Sequence, residues 1–159
     1  MTRRTIAIAA LASLASLSQG CGGEEEGEFD ELCEHLEAGP AEAVEAASDI
    51  DLAPDVADDH TRYDITLTDG SGFVSFNADE AGEFLFGGDV DAFDLGITDS
   101  SGATIEIEET VAGPCTFASK AYVADLAIGS YTLEIGASAG ALGLVIEHGG
   151  EHDEDEHDH

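Results

Sequence analysis

Histidine and carboxylate side chains crowd the C-terminal end of the chain. From residue 149 onward every residue is Gly, His, Asp or Glu, so this stretch, 149–159, is expected to be a disordered acidic tail. Imidazole and carboxylate are ligands for Zn²⁺, Ni²⁺ and Cu²⁺, and a histidine-rich tract is a compositional sign of metal binding. The tract therefore predicts a transition-metal site that uses His152, His157 and His159, and the alternative is an acidic tail whose histidines have no role.

Two more histidines stand at the two ends of a β-rich segment. His60 precedes its first predicted strand, and His148 follows its last. Because the first and last strands of many jelly rolls are antiparallel neighbours, we expect His60 and His148 to lie side by side where the tail begins and to belong to the same metal site. Calcium is the less favoured ion. Asp89, Asp91 and Asp94 stand near a strand start, where acidic residues more often form a solvated turn, and the stretch lacks the glycine at the sixth position of an EF-hand loop.

The first 20 residues have the pattern of a signal peptide. Arg3 and Arg4 precede an apolar run over residues 6–17, which is too short to span a bilayer as a mature helix, and small residues lead from it to Cys21. This ending resembles the lipobox of bacterial lipoproteins, whose cysteine is acylated and becomes the new N-terminus. The resemblance implies lipidation of Cys21, a flexible tether over residues 21–27, and an exported protein anchored to the outer membrane on its periplasmic or surface face.

Cys33 and Cys115 remain once Cys21 is assigned to the lipid anchor. The exported compartment is oxidising, so these two cysteines are predicted to form a disulfide. A Cys/His metal site is the less favoured alternative, because neither cysteine has another cysteine or a histidine at the spacing of a metal finger.

Acidic residues dominate the composition. The chain has 36 Asp and Glu against four Lys and Arg, which gives a formal net charge of −32. Such a surface repels phosphate backbones and anionic lipid headgroups, so we expect no nucleic-acid partner and membrane contact through the lipid anchor only. Cations are the natural partners, although dense carboxylates also serve simply to keep an exported protein soluble.

The elements that must position these residues fall into two parts. Residues 28–59 predict a short helical preface and linker: a helix over 28–38, a weaker alanine-rich helix over 40–47, and an extended stretch over 49–59. Residues 60–148 predict an all-β domain, an antiparallel β-sandwich or jelly roll of about eight strands. The alternating runs are 62–68, 72–77, 83–86, 92–98, 103–108, 121–126, 131–135 and 142–147.

Three stretches within this domain, 76–82, 89–102 and 126–133, resemble the bacterial pre-peptidase C-terminal domain. That family is a small jelly-roll module attached to secreted enzymes, with acid-rich strand starts and a late Gly-Ser-Tyr strand. The resemblance supports the sandwich fold and implies an accessory rather than a catalytic role.

One stretch, Gly136 to Gly140, matches the G-x-S-x-G nucleophile elbow of serine hydrolases, but it is predicted to lie in a hairpin, whereas the elbow requires a strand-to-helix turn. We therefore expect no enzyme. The sequence predicts a non-enzymatic exported lipoprotein that binds or buffers Zn²⁺, Ni²⁺ or Cu²⁺ through its acidic, histidine-rich C-terminus. The alternative is a surface β-sandwich that binds an envelope or surface protein, or a glycan, and carries an inert tail.

Lipidation is directly testable. Because the apolar run ends at a small residue before Cys21, the intact mass of the protein from its membrane fraction should show an acylated N-terminal cysteine and the loss of residues 1–20. Cys21→Ser should move the protein from the membrane to the soluble fraction. A variant that stays with the membrane would contradict the anchor.

Overall fold

The computed structural model describes Gly27, residues 29–58 and residues 60–149. This part of the chain contains one α-helix, a short 3₁₀-helix at Ile50–Leu52 and eleven strands. The elements are α1 (Asp30–Ala38), β1 (Ala41–Glu45), β2 (Asp55–Val56), β3 (Arg62–Thr66), β4 (Ser71–Ala78), β5 (Gly82–Gly88), β6 (Phe93–Asp99), β7 (Thr104–Ile105), β8 (Glu109–Ala112), β9 (Lys120–Leu126), β10 (Gly129–Ala137) and β11 (Ala141–Gly149).

The strands form two sheets that pack as a β-sandwich, as the alternating pattern predicted. One sheet has six strands in the order β1-β3-β11-β5-β9-β8, and the other has five in the order β2-β4-β10-β6-β7. Most neighbours are antiparallel, but β1 pairs with β3 and β2 pairs with β4 in parallel. The sheets are therefore mixed, and the prediction of a purely antiparallel sandwich of about eight strands is wrong in this respect.

Three strands are additional to those predicted. The predicted linker supplies β2, the predicted second helix supplies β1, and β8 follows the predicted strand over 103–108, of which only β7 forms. The second predicted helix, over 40–47, is also wrong, because this segment forms β1. Its Val44 and Ala46 alternate with exposed residues and are buried in the core, and an isolated helix of that length would be marginal even when rich in alanine.

Two apolar clusters hold the layers together. The larger one fills the space between the sheets and includes an edge-to-face aromatic group, with the Phe76 ring 5.4 Å from Phe84 and 6.1 Å from Phe86. The smaller one lies on the outer face of the six-stranded sheet, where Leu32 and Leu36 of α1 are buried. The residues beneath them are Leu85, Ala118, Val123 and Val145. The sandwich thus has a third, one-helix layer on one side only.

The helix begins and ends as its sequence requires. Asp30 accepts a hydrogen bond from the Gly27 N–H at 2.7 Å, and acidic side chains in the first turn favour the positive end of the helix dipole. Gly39 is extended, its N–H donates to the His35 carbonyl, and Pro40 follows. No helix in the described part of the chain is long and apolar enough to cross a membrane.

The predicted disulfide is confirmed. Cys33 of α1 is bonded to Cys115 in the connection between β8 and β9, with a Cα–Cα distance of 6.2 Å and a sequence separation of 82. On the chain-entropy model a loop of that length stabilises the fold by roughly 4 kcal/mol. The bridge fastens the helix to the sheet that it covers.

Gly87 of β5 tests the packing of α1 on the sheet. A Cβ atom at Gly87 would overlap the side chain of Leu32, so Gly87→Ala should displace the helix and lower the free energy of unfolding by about 1–3 kcal/mol in urea denaturation. Gly136→Ala is the matched control, because a Cβ there comes no nearer than 3.6 Å to Asp94. Equal effects of the two substitutions would contradict the close approach of Leu32 to β5.

Candidate metal centre

Three elements bring two histidines and a glutamate together beside α1. Helix α1 supplies His35, strand β11 supplies Glu147, and the connection between β2 and β3 supplies His60. This is the group of His, Cys, Asp and Glu side chains, within the described residues, whose ligand atoms all lie within 4.8 Å of one another.

Glu147 faces outward from the sandwich but lies under the helix. Along β11 the side chains of Leu144 and Ile146 enter the core between the sheets, so Val145 and Glu147 project from the opposite face toward α1. Glu147 is opposite Leu85 on β5, and only 3% of its side chain is exposed. A carboxylate buried in this way must have hydrogen-bond partners, because it has lost those of water.

His60 reaches Glu147 through the register of the first and last long strands. β3 and β11 pair antiparallel, with Tyr63 opposite Leu144, and continuing that register by three residues on each strand sets His60 opposite Glu147. The backbone of His60 is left-handed, with φ of 60°, which is uncommon for a residue other than glycine.

His35 comes from the last turn of α1. Leu32 and Leu36 turn the helix so that its apolar face lies on the sheet, and His35 stands on the flank of that face above β11. The Arg62 Nη1 donates to the Leu36 carbonyl at 2.9 Å and fixes this end of the helix to β3.

The two imidazoles hold the carboxylate from two sides. His35 Nδ1 lies 2.6 Å from Glu147 Oε1, and His60 Nδ1 lies 3.0 Å from Oε2. An ionised carboxylate only accepts hydrogen bonds, so both rings carry a proton on Nδ1 and donate it to Glu147. The ring centroids of the two histidines are 4.6 Å apart, and their planes are tilted by 47°.

The electrostatics of the cluster are set by burial. Loss of water raises the pKa of Glu147 above its ordinary value, the hydrogen bond and charge of His35 and the charge of His60 act in the opposite direction, and the nearby Glu31 raises the pKa further. The net effect is a raised pKa of Glu147, so loss of water outweighs the two imidazoles.

The donor set fits a transition metal better than calcium. Two imidazole nitrogens and one carboxylate oxygen form the His₂Glu combination found at zinc sites with an open fourth position, whereas Ca²⁺ takes six to eight oxygen ligands. Zinc binds such atoms at about 2.0–2.2 Å. In tetrahedral geometry such bonds set the ligand atoms about 3.4 Å apart. The Nδ1–Oε separations of 2.6 and 3.0 Å would therefore have to widen by about 0.8 and 0.4 Å, and both Nδ1 protons would have to leave.

The structure brings only part of the sequence-predicted set together. His60 belongs to the cluster, whereas His148 projects from the other face of β11, with its ring edge-on to Phe84 at a centroid distance of 4.8 Å and with Nε2 buried and without a hydrogen-bond partner. His152, His157 and His159 lie outside the described residues. His35 and Glu147 were missed as site residues.

The acidic group considered for calcium is occupied by structural bonds. Asp89 accepts from Arg62 Nη2 and from the Gly143 N–H, and Asp94 lies 3.5 Å from Lys120 Nζ. Asp91, the third residue of the group, is exposed.

No protein-family model matches the chain, and no curated protein has a significantly similar sequence. The likenesses to bacterial lipoproteins and to the pre-peptidase C-terminal domain therefore stay predictions.

The raised pKa of Glu147 makes a prediction about the metal-free protein. A carboxyl group whose pKa is raised on folding stabilises the fold at low pH. That contribution is lost as the pH rises from the ordinary pKa of the group, 4.5, through its pKa in the folded protein. Glu147→Gln removes this pH dependence. In urea denaturation with a chelator, the free energy of unfolding of the variant should therefore rise relative to that of the native protein between pH 4.5 and about 6. This range lies below the ordinary pKa of histidine.

Glu134→Gln is the matched control, because it makes the same substitution at an exposed position of β10. If the free energy of unfolding of Glu147→Gln stays constant or falls relative to that of the native protein as the pH rises, the effect of burial on Glu147 is contradicted.

Proposed function

We propose that this protein is an exported lipoprotein that binds a divalent transition metal, Zn²⁺, Ni²⁺ or Cu²⁺, at a centre formed by His35, His60 and Glu147. The tail captures the ion, and the centre retains it. The observation that supports the proposal is the buried Glu147 carboxylate held between two imidazoles. In the sequence, Glu147 comes two residues before residue 149, where the histidine-rich tail is predicted to begin.

The tail and the centre have complementary physical properties. A flexible segment loses chain entropy when it wraps an ion, so the tail should bind weakly and exchange quickly. The centre has its ligands already positioned by a helix, a strand and a constrained loop, so it should bind more tightly for the same kind of ligand. The dense negative charge of the chain raises the local concentration of cations and increases the rate of capture.

The proposal also covers the location of the protein and the family of its fold. A lipid on Cys21 would anchor the protein to the outer membrane, and residues 21–27 would act as its tether. The two-sheet sandwich would be a jelly-roll module of the pre-peptidase C-terminal type that works as a binding protein rather than as an enzyme. Confinement to the cell envelope suits a role in buffering a metal at that surface.

Titration calorimetry with Zn²⁺ in physiological salt, with excess Ca²⁺ and Mg²⁺, tests this function. His35→Asn should weaken the tightest site by at least about tenfold, because it removes one of three ligands. His148→Asn is the matched control, because His148 lies on the opposite face of β11, and it should leave that site unchanged. Binding should also weaken as the pH falls through about 6.5, since imidazole must be neutral to ligate.

Replacing His152, His157 and His159 together by Asn should remove the weaker binding events and leave the tightest one. Equal binding by the native protein and His35→Asn would reject the centre. Competition by Ca²⁺ on equal terms would show plain charge attraction and favour a surface module that binds a protein or glycan.

A further inference from the structure

Helix α1 is fastened to the sandwich on both flanks of its apolar face. Successive residues of an α-helix are separated by about 100° around its axis, so Leu32 and Leu36 form one ridge and Cys33 and His35 lie about 80° to either side of it. Leu32 and Leu36 are fully buried against the sheet. The disulfide to Cys115 holds one flank, and the hydrogen bond from His35 to Glu147 holds the other.

The position of the helix depends on its tertiary contacts. It is nine residues long, and its N-cap residue, Phe29, makes no side-chain capping bond. A helix this short is marginal on its own, so its setting depends on tertiary contacts. Apart from the leucine ridge, these include the hydrogen bond from Arg62 Nη1 to the Leu36 carbonyl.

Rotation about the helix axis would move both flanks of the leucine ridge, Cys33 on one side and His35 on the other. The covalent bond at Cys33 opposes that rotation directly, and the same rotation would carry His35 away from Glu147 and His60. The disulfide therefore sets the position of one ligand of the proposed metal centre, although it contains none of them.

We infer that the Cys33–Cys115 disulfide is a redox gate for this centre, an inference that rests on the proposed metal binding. In the oxidised protein His35 is held in place and the ion is retained. A dithiol, or two molecules of a monothiol such as glutathione, transfers two electrons and two protons to the bridge, which gives two protein thiols and one new disulfide on the reductant. The freed helix then rotates, His35 leaves the centre, and the ion is released.

The bridge is placed where a reductant can reach it. Cys33 and Cys115 are both partly exposed, and Cys115 lies in the connection between β8 and β9, at an edge of the six-stranded sheet. A fully buried bridge would open only when the fold does, whereas this one allows reduction with the sandwich intact.

The coupling must act in both directions. If the oxidised form binds the metal more tightly than the reduced form, the bound metal stabilises the disulfide by the same factor. A tenfold difference in affinity corresponds to a shift of the reduction potential by about 30 mV toward more negative values.

The first test compares the full-length native protein with Cys33→Ser/Cys115→Ser, which lacks both the bridge and the thiols that would themselves bind zinc. Zn²⁺ is titrated while the ring nitrogens of His35 and His60 are followed by NMR, so that binding to the tail is not counted. The variant should bind at these two rings at least about tenfold more weakly, with unchanged signals from residues of the core between the sheets. Equal affinity would overturn the gate.

The second test does not depend on the folding of that variant. The native protein is equilibrated in glutathione redox buffers with and without excess Zn²⁺, and the fraction of oxidised bridge is measured by thiol labelling and mass. Zinc should make the bridge at least about tenfold harder to reduce, and it should have no such effect in His35→Asn. No effect of zinc on the native protein, or a shift that favours reduction, would overturn the gate.

The two claims fail in different ways. If His35 and His60 of the oxidised protein take no Zn²⁺ at all, the proposed centre is rejected and the gate with it. If they take Zn²⁺ equally well in the oxidised protein and in the serine variant, the centre stands and the gate is rejected.

Discussion

The burial of one carboxylate is the constraint on which the rest of this structure depends. Glu147 projects from β11 into the space under α1, where its side chain is 3% exposed. A buried charge without partners would destabilise the fold, so the helix and the loop before β3 must each deliver a proton donor to it. The placement of α1, the left-handed backbone of His60 and the pairing of β3 with β11 all converge on that requirement.

A β-sandwich of this size reaches that arrangement by adding a third layer. The helix covers part of the outer face of the six-stranded sheet, and the disulfide fixes it there. The resulting cluster takes its side chains from a helix, a strand and a loop, so its geometry depends on how α1 is held on the sheet. In the proposed function, this positioned donor set retains the ion that the acidic, histidine-rich tail captures.

The sequence predicted the features that depend on local pattern. Alternating apolar residues located most strands, and an oxidising compartment with two remaining cysteines predicted the bridge between Cys33 and Cys115. The alanine-rich composition of residues 40–47 predicts a helix, whereas pairing with β3 makes this segment a strand. The expectation that the first and last strands are neighbours is confirmed for β3 and β11.

The sequence predicted the site residues less completely, because their positions depend on the pairing register of the strands. The neighbouring strands were expected to set His60 beside His148, but the actual pairing sets it opposite Glu147, one residue earlier and on the other face. His35 could not be placed at all, because no local pattern states which flank of a helix meets which strand. The alternation along β11 does offer one signal, since it puts an acidic side chain on an otherwise apolar strand face.

Anomalous diffraction at the zinc absorption edge, on crystals of the oxidised full-length protein grown with one equivalent of Zn²⁺, tests the central claim most directly. The metal should appear as a single strong peak within about 2.0–2.2 Å of His35 Nδ1, His60 Nδ1 and a Glu147 oxygen. A peak elsewhere on the protein, with the hydrogen bonds from both imidazoles to Glu147 still in place, would contradict it.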